Sequence, residues 1–196
     1  MILLIAVLLG LAAGLIRAWL GSNEYSIVQL QGAWLVFVAY LPQLFAFHLH
    51  PTQKFIADNW VPFILIGSQI LLLIFVWLNR TMPGFWALGL GLFMNFLAIA
   101  LNKGMMPLSP EIAEKLIPKG VEVTLAIGKR VGYGRDILLP LTATKLWFLG
   151  DIFTLPKWIN YPLAFSIGDI FISLGAFWLL WSLGGPLYSS SGVQTC

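Results

Sequence analysis

Five long stretches of the chain carry almost nothing but apolar residues, and the charged residues gather between them. Met1 to about Leu20 is interrupted only by Arg17, and Gln31 to His48 lies inside the uncharged stretch from Tyr25 to Gln53. Residues 59–79 fit between Asp58 and Arg80, Gly84 runs to Asn102, and Ala164 runs to Leu183 ahead of Gly184-Gly185-Pro186. Each window approaches the roughly 20 residues that carry a helix across hydrocarbon, where every backbone amide must be paired within its own segment. The pattern therefore predicts an all-α integral membrane protein, a single polytopic domain with about five transmembrane helices. The first window is expected to be a retained helix rather than a cleaved signal, because nothing basic precedes Ile2 and bulky Trp19 and Leu20 follow. Pro42 should kink the second, and Trp60 and Trp77 stand where interface anchors belong at the ends of the third.

Helices in lipid gain little from apolar contact with one another and associate through small and polar residues. Gly10 and Gly14 form a GxxxG pair in the first window, a candidate face for helix packing, for a second copy of the chain or for another membrane protein. In the fourth, Gly91, Asn95, Ala98 and Asn102 recur at helical spacing along one face, and Gln43, Ser68 and Gln69 add polar points to the second and third. These read as packing surfaces and interhelical hydrogen bonds. A transport pathway fits less well, since pathways usually carry intramembrane charge and no inverted helix repeat is visible.

Residues 103–161 hold eight of the eleven basic residues and five of the eight acids, and predict a small mixed interfacial cap between helices four and five. Ser109-Pro110-Glu111 is a helix start, with Ser as N-cap, Pro at the first position and an acid in the first turn. Ile112, Leu116 and Ile117 then mark a short amphipathic helix. Val121, Val123, Leu125 and Ile127 alternate with Glu122, Thr124 and Ala126, which predicts a half-buried strand. Gly128 to Gly134 reads as a turn with a rim of Lys129, Arg130 and Arg135 facing water or headgroups, and no hydroxyl residue follows the lysine as a phosphate loop requires. The basic excess argues for a cytoplasmic cap and the flank of the first helix for an outward one; the outward side is favoured here, because the first helix usually dominates.

Composition sharpens this picture. Charged residues make up 10% of the chain, hydrophobic ones 59%, and the mean hydropathy is +0.89; a soluble domain carries about a quarter charged. The bilayer is thus the expected partner, and a net charge of +3 is too small to point to nucleic acid. The one cysteine, Cys196, excludes an internal disulfide or a thiolate metal cage, and residues 186–196 form a polar tail expected to be disordered. His48-x-His50 offers two ligands where zinc takes three or four, so no metal or cofactor is expected.

Two carboxylates carry the sharper chemistry. Gly150-Asp151-Ile152-Phe153 is echoed by Gly168-Asp169-Ile170-Phe171. An ionisable residue at membrane depth is a functional candidate by default, and two close carboxylates sharing a proton could activate water. The plainer reading makes Ser166 and Asp169 a capping box at the start of the fifth helix and pairs Asp151 with Lys145 or Lys157. Two functions follow: a scaffold, assembly or sensor component with no chemistry of its own, or an intramembrane aspartyl-type hydrolase that uses Asp151 and Asp169 on a membrane-embedded or lipid-linked substrate.

Asn102-Lys-Gly-Met-Met-Pro-Leu-Ser-Pro-Glu111, Thr144-Lys-Leu-Trp-Phe-Leu-Gly-Asp151 and Phe165-Ser-Ile-Gly-Asp169 resemble a family of small bacterial multi-pass membrane proteins catalogued only as a domain of unknown function. That resemblance implies a protein of the bacterial cytoplasmic (inner) membrane and supplies no activity. The last quarter is also similar, in part, to the lipoprotein signal peptidases, intramembrane aspartyl enzymes. Asp169 matches a catalytic aspartate of theirs, Ser166 stands where they carry asparagine, and their other catalytic block has no counterpart upstream of Asp151.

Overall fold

The computed structural model describes residues 2–49, 56–117, 126–156, 159 and 161–186. In chain order these form α1 (Ile2–Leu20), α2 (Trp34–Gln43), α3 (Val61–Leu78), α4 (Phe85–Leu101), β1 (Met106–Leu108), α5 (Pro110–Leu116), β2 (Asp136–Leu138), β3 (Phe153–Thr154), β4 (Ala164–Phe165) and α6 (Ile167–Ser182). The molecule is mostly helical. Two helices are long and apolar enough to cross a membrane: α1, and α3 with the 3₁₀ turn Asp58–Trp60 that leads into it. The second, fourth and fifth windows hold shorter apolar helices. A core helix of a soluble domain would be mostly covered, whereas only 17% and 22% of these two windows is buried. Leu4, Leu8, Phe63 and Trp77 stand bare on their outer faces, and apolar surface of that extent marks contact with a membrane or a protein partner.

Pro42 acts as its chemistry requires. It has no N–H to give to the carbonyl one turn back, and past it the helix widens into one π turn, Leu44–His48, closed by the Leu49 N–H donating to the Leu44 carbonyl at 3.1 Å. The Ser68 hydroxyl of α3 donates to the Ala39 carbonyl of α2 at 2.7 Å, a crossing bond of the kind expected from its place in an apolar run.

Helix α6 lies between α1 and α4, and glycine sets how close they come. A methyl group on Gly91 would run into the Gly168 carbonyl oxygen and lie 2.7 Å from the Ile172 nitrogen. One on Gly10 would lie 2.8 Å from the Phe177 Cα, and one on Gly14 would meet the Leu180 carbonyl. The Gly10/Gly14 face is therefore filled from within the chain. The contacts also fix direction: Gly10 meets Phe177 and Gly14 meets Gly184, so α1 and α6 run parallel, while Gly84 meets Gly175 and Gly91 meets Gly168, so α4 and α6 are antiparallel.

Two asparagines tie helix ends to distant backbone by the same device. At the end of α3, the Asn79 amide donates to the Gln31 carbonyl at 2.8 Å and accepts from the Gln31 N–H at 2.9 Å. At the end of α4, Asn102 donates to the Lys145 carbonyl at 2.8 Å and accepts from the Lys145 N–H at 2.9 Å. A primary amide presents the same donor–acceptor pair as a peptide unit, so each asparagine satisfies a stretch of irregular backbone as a neighbouring strand would.

The cap departs from expectation in two places. Ser109 caps α5 as predicted, accepting from the Ile112 N–H. Of the strand expected at Val121 to Ile127, residues 121–125 lie outside the described residues, and Ala126 and Ile127 are exposed, Ile127 in a turn. A ladder that alternation did not predict forms between β1 and β2, parallel, with Met106 opposite Asp136 and Leu108 opposite Leu138; apolar burial on both sides, not alternation, marks these strands. The basic rim is the second departure. Lys129 and Arg135 are exposed, Arg135 while also reaching the Asp151 carboxylate, but the Arg130 side chain is only 3% exposed, pairs with Asp58 at 3.0 Å and donates to the Gly134 and Tyr133 carbonyls. A guanidinium has five donors to spend, and the carbonyls left by this tight turn take them.

The glycine contacts give a paired test. Gly91→Ala should cost about 1–3 kcal/mol through overpacking, whereas Gly67→Ala, with nothing within 4 Å of its added methyl, should be neutral or gain up to about 1 kcal/mol from helix propensity. Thermal unfolding of the two variants in detergent decides it, and equal melting points would contradict the packing described.

Candidate functional site

The candidate site is assembled on two residues of β1, Met106 and Pro107. The Met106 N–H donates to the Arg135 carbonyl at 3.1 Å, and the Pro107 carbonyl accepts from the Asp151 N–H at 3.2 Å. One short strand thus holds Arg135 and Asp136 on one side and Asp151 on the other. Beyond Asp151 the chain pairs β3 antiparallel with β4, Phe153 against Phe165 with rings stacked at 5.5 Å. That hairpin delivers Ser166 to the head of α6.

Ser166 and Asp169 form a complete capping box: the Ser166 hydroxyl accepts from the Asp169 N–H at 3.0 Å, and the Asp169 carboxylate accepts from the Ser166 N–H at 3.1 Å. Asn95 of α4 joins it, its amide nitrogen donating to Asp169 at 3.0 Å and its oxygen accepting from the Ser166 hydroxyl at 2.8 Å. This reach is possible because Gly91 and Gly168 leave no side chain between the helices; a methyl on Gly168 would sit on the Asn95 amide.

Asp151 and Asp169 are brought together, but through a third residue. Nη2 of Arg135 is 3.3 Å from an Asp151 carboxylate oxygen and 3.7 Å from one of Asp169, and its Nε is 3.8 Å from Asp136. The ion pair of Asp151 thus goes to Arg135, while Lys145, named as its partner from sequence, contributes its backbone to Asn102; Lys157 lies outside the described residues. One guanidinium faces three carboxylates, and Asp151 is only 2% exposed. Burial pushes the Asp151 carboxyl up to about 7, against the pull of Arg135 and with the push of Asp136 and Asp169. Burial raises Asp136 as well, and Asp151 beside it holds the Arg135 guanidinium firmly protonated. One Asp151 oxygen and one Asp136 oxygen are buried with no hydrogen-bond partner, which is where a retained proton would sit.

A chamber of about 530 Å³ opens beside this cluster. Its long wall is apolar, with Val36 of α2, Leu72 and Phe75 of α3, Leu88 and Leu92 of α4 and Ile172 of α6. Its polar points are Asn95, Arg135 and Asp169 at the cap end, with Tyr40, Gln43 and Gln69 on α2 and α3. The Gln69 amide oxygen is buried without a partner. Asp151 does not line this space. A water-activating pair needs two carboxylates that share a proton on a common cavity wall; here a guanidinium stands between them and one is walled off. No cluster of three or more histidine, cysteine or acidic side chains is arranged for a metal among the described residues; His48 lies 6.3 Å from the Tyr40 ring, centre to centre, and His50 lies outside the described residues.

Sequence reasoning named Asp151, Asp169, Asn95 and Ser166, which the fold gathers here, and Asn102 and Lys145, which it uses to tie the cap to α4. It missed Arg135 as the centre, because nothing local distinguishes that arginine from its neighbours in a basic turn, and it missed Asp136 with it. A family model described as a family of unknown function, DUF5317, matches residues 27–181, from the loop after α1 to the penultimate residue of α6. No curated protein and no solved structure matches the chain, and the likeness of the last quarter to lipoprotein signal peptidases is not shown.

The raised carboxyl makes a pH test. Asp151 keeps its proton in the folded state at pH values where the unfolded chain has lost it, so the native state binds more protons between the ordinary 3.8 and about 7. Its contribution to stability is therefore greatest below 3.8 and is lost as pH rises towards 7. Asp151→Asn should remove that slope, so the melting point of the variant relative to the parent should climb from about pH 5 to about pH 8; a difference that is flat or falls would contradict the assignment.

Proposed function

The chain belongs to the family of unknown function DUF5317, and from that premise we propose that it is a non-enzymatic membrane protein that holds an amphiphile between its helices. In this reading all five apolar helices cross the bilayer of a bacterial cytoplasmic membrane, and the cap rests on one face. The helix directions support it: α1 and α6, the first and fifth crossings, run parallel, as an odd number of crossings requires, and α4 opposes α6. The bare outer faces would then meet lipid.

The observation that carries the binding reading is the chamber. Its volume of about 530 Å³ lies in the range of small-molecule sites, about 300–1,000 Å³, and its lining divides into an apolar length and a polar end. A molecule with a tail and a head matches that division. All five long helices contribute to the wall, α1 through Ile2 and Leu3. An occupant would therefore stabilise their mutual packing by mass action, which is what a sensor or an assembly component needs. The hydrolase alternative has less support, with Asp151 off the chamber and Arg135 between the carboxylates.

Leu72→Trp places an indole in the chamber and tests this directly. Native mass spectrometry of the full chain in non-ionic detergent should find a retained single-chain amphiphile in the parent, with occupancy reduced about tenfold or more in the variant, equivalent to about 1.4 kcal/mol. A folded variant with undiminished occupancy would refute the chamber as the site.

A further inference from the structure

The polar end of the chamber has a charge and hydrogen-bond pattern that selects a head group. Among the described residues Arg135 is the one cation ion-paired to Asp136, Asp151 and Asp169, so the carboxylates outnumber their paired base, and a proton retained on one carboxyl still leaves an excess of negative charge. The Asn95 amide donates to Asp169 and accepts from Ser166, and Nε and Nη2 of Arg135 face carboxylates. Acceptor capacity remains. Asp169 accepts one hydrogen bond at each carboxylate oxygen, which leaves further lone pairs on both; it lines the chamber and is partly exposed, and the buried Gln69 oxygen in the same lining has no partner. An acceptor buried without a donor costs about 1–3 kcal/mol, and a ligand that supplies the donor recovers it.

We infer that the head group bound in this chamber is a protonated amine, hydrogen-bonded to Asp169 and Gln69, and that anionic phosphate or carboxylate heads are disfavoured despite the arginine in the wall. The inference rests on the reading of the chamber as an amphiphile site. An ammonium supplies three donors and one positive charge, which matches the unspent acceptors and the surplus of carboxylate. A phosphate would bring a further negative charge against the three carboxylates around Arg135, a repulsion that an ammonium avoids.

Dodecylamine, dodecylglycerol and dodecyl phosphate share one tail and differ in the head, so their binding separates the two claims. With the full chain in non-ionic detergent, measured by thermal stabilisation and by native mass spectrometry, dodecylamine should bind at about tenfold lower concentration than dodecyl phosphate. Asp169→Asn, which keeps an oxygen for the capping box, and Gln69→Leu, which leaves the box untouched, should each reduce that preference severalfold. Equal affinity for the three, or tighter binding of the phosphate, overturns the head-group inference while leaving the amphiphile reading in place. A preference for the amine that survives both substitutions in folded protein also overturns it. If none of the three binds and Leu72→Trp changes nothing, the underlying reading fails and this inference with it.

Discussion

Helices α4 and α6 touch backbone to backbone at Gly91 and Gly168, and most of the molecule's polar architecture depends on that contact. With no side chain between them, Asn95 reaches across to the Ser166 hydroxyl and the Asp169 carboxylate. Those two bonds fix Asp169, already held by its own helix start, on the chamber wall. Van der Waals contact and interhelical hydrogen bonds are what hold helices together where the surround is as apolar as the side chains. The same few ångströms thus provide cohesion for the bundle and the setting for its one acidic group on a long helix.

The cap is bound to the bundle by charge rather than by apolar area alone. Arg135 belongs to the cap and Asp169 to α6, so the guanidinium ties the β1–β2 ladder to the helix it covers. Burying ions is costly unless partners compensate, and the cluster compensates unevenly, with three acids to one base. Perturbed carboxylates of this kind cluster at functional sites, and this cluster stands at the polar end of the chamber.

What could be read from sequence follows from how local each feature is. The five apolar windows each hold a helix because hydropathy over a long run is a local property. Ser109 and the Ser166–Asp169 box were legible because caps are written in three or four consecutive residues. Arg135 was not, since its role is set by a strand pairing between residues thirty apart, Met106 and Asp136, and nothing within the turn announces it. The ladder itself was missed for the same reason: three-residue strands buried on both sides carry no alternation to detect. Asn102 was named for the right helix face but for packing, and its use as a clamp on Lys145 depends on a partner far along the chain.

The parallel pairing of α1 with α6 joins two helices far apart along the chain, and α1 is synthesised well before its partner. Until α6 emerges, the small-residue face of α1 has no intramolecular cover, and the chamber lacks the side that carries Asp169 and Ile172. A chain cut immediately before Ile167 would leave the other four long helices around an open cleft, with Arg135 facing one carboxylate fewer. Closure of the interior therefore waits for α6, and a ligand present at that moment would be enclosed as that helix docks.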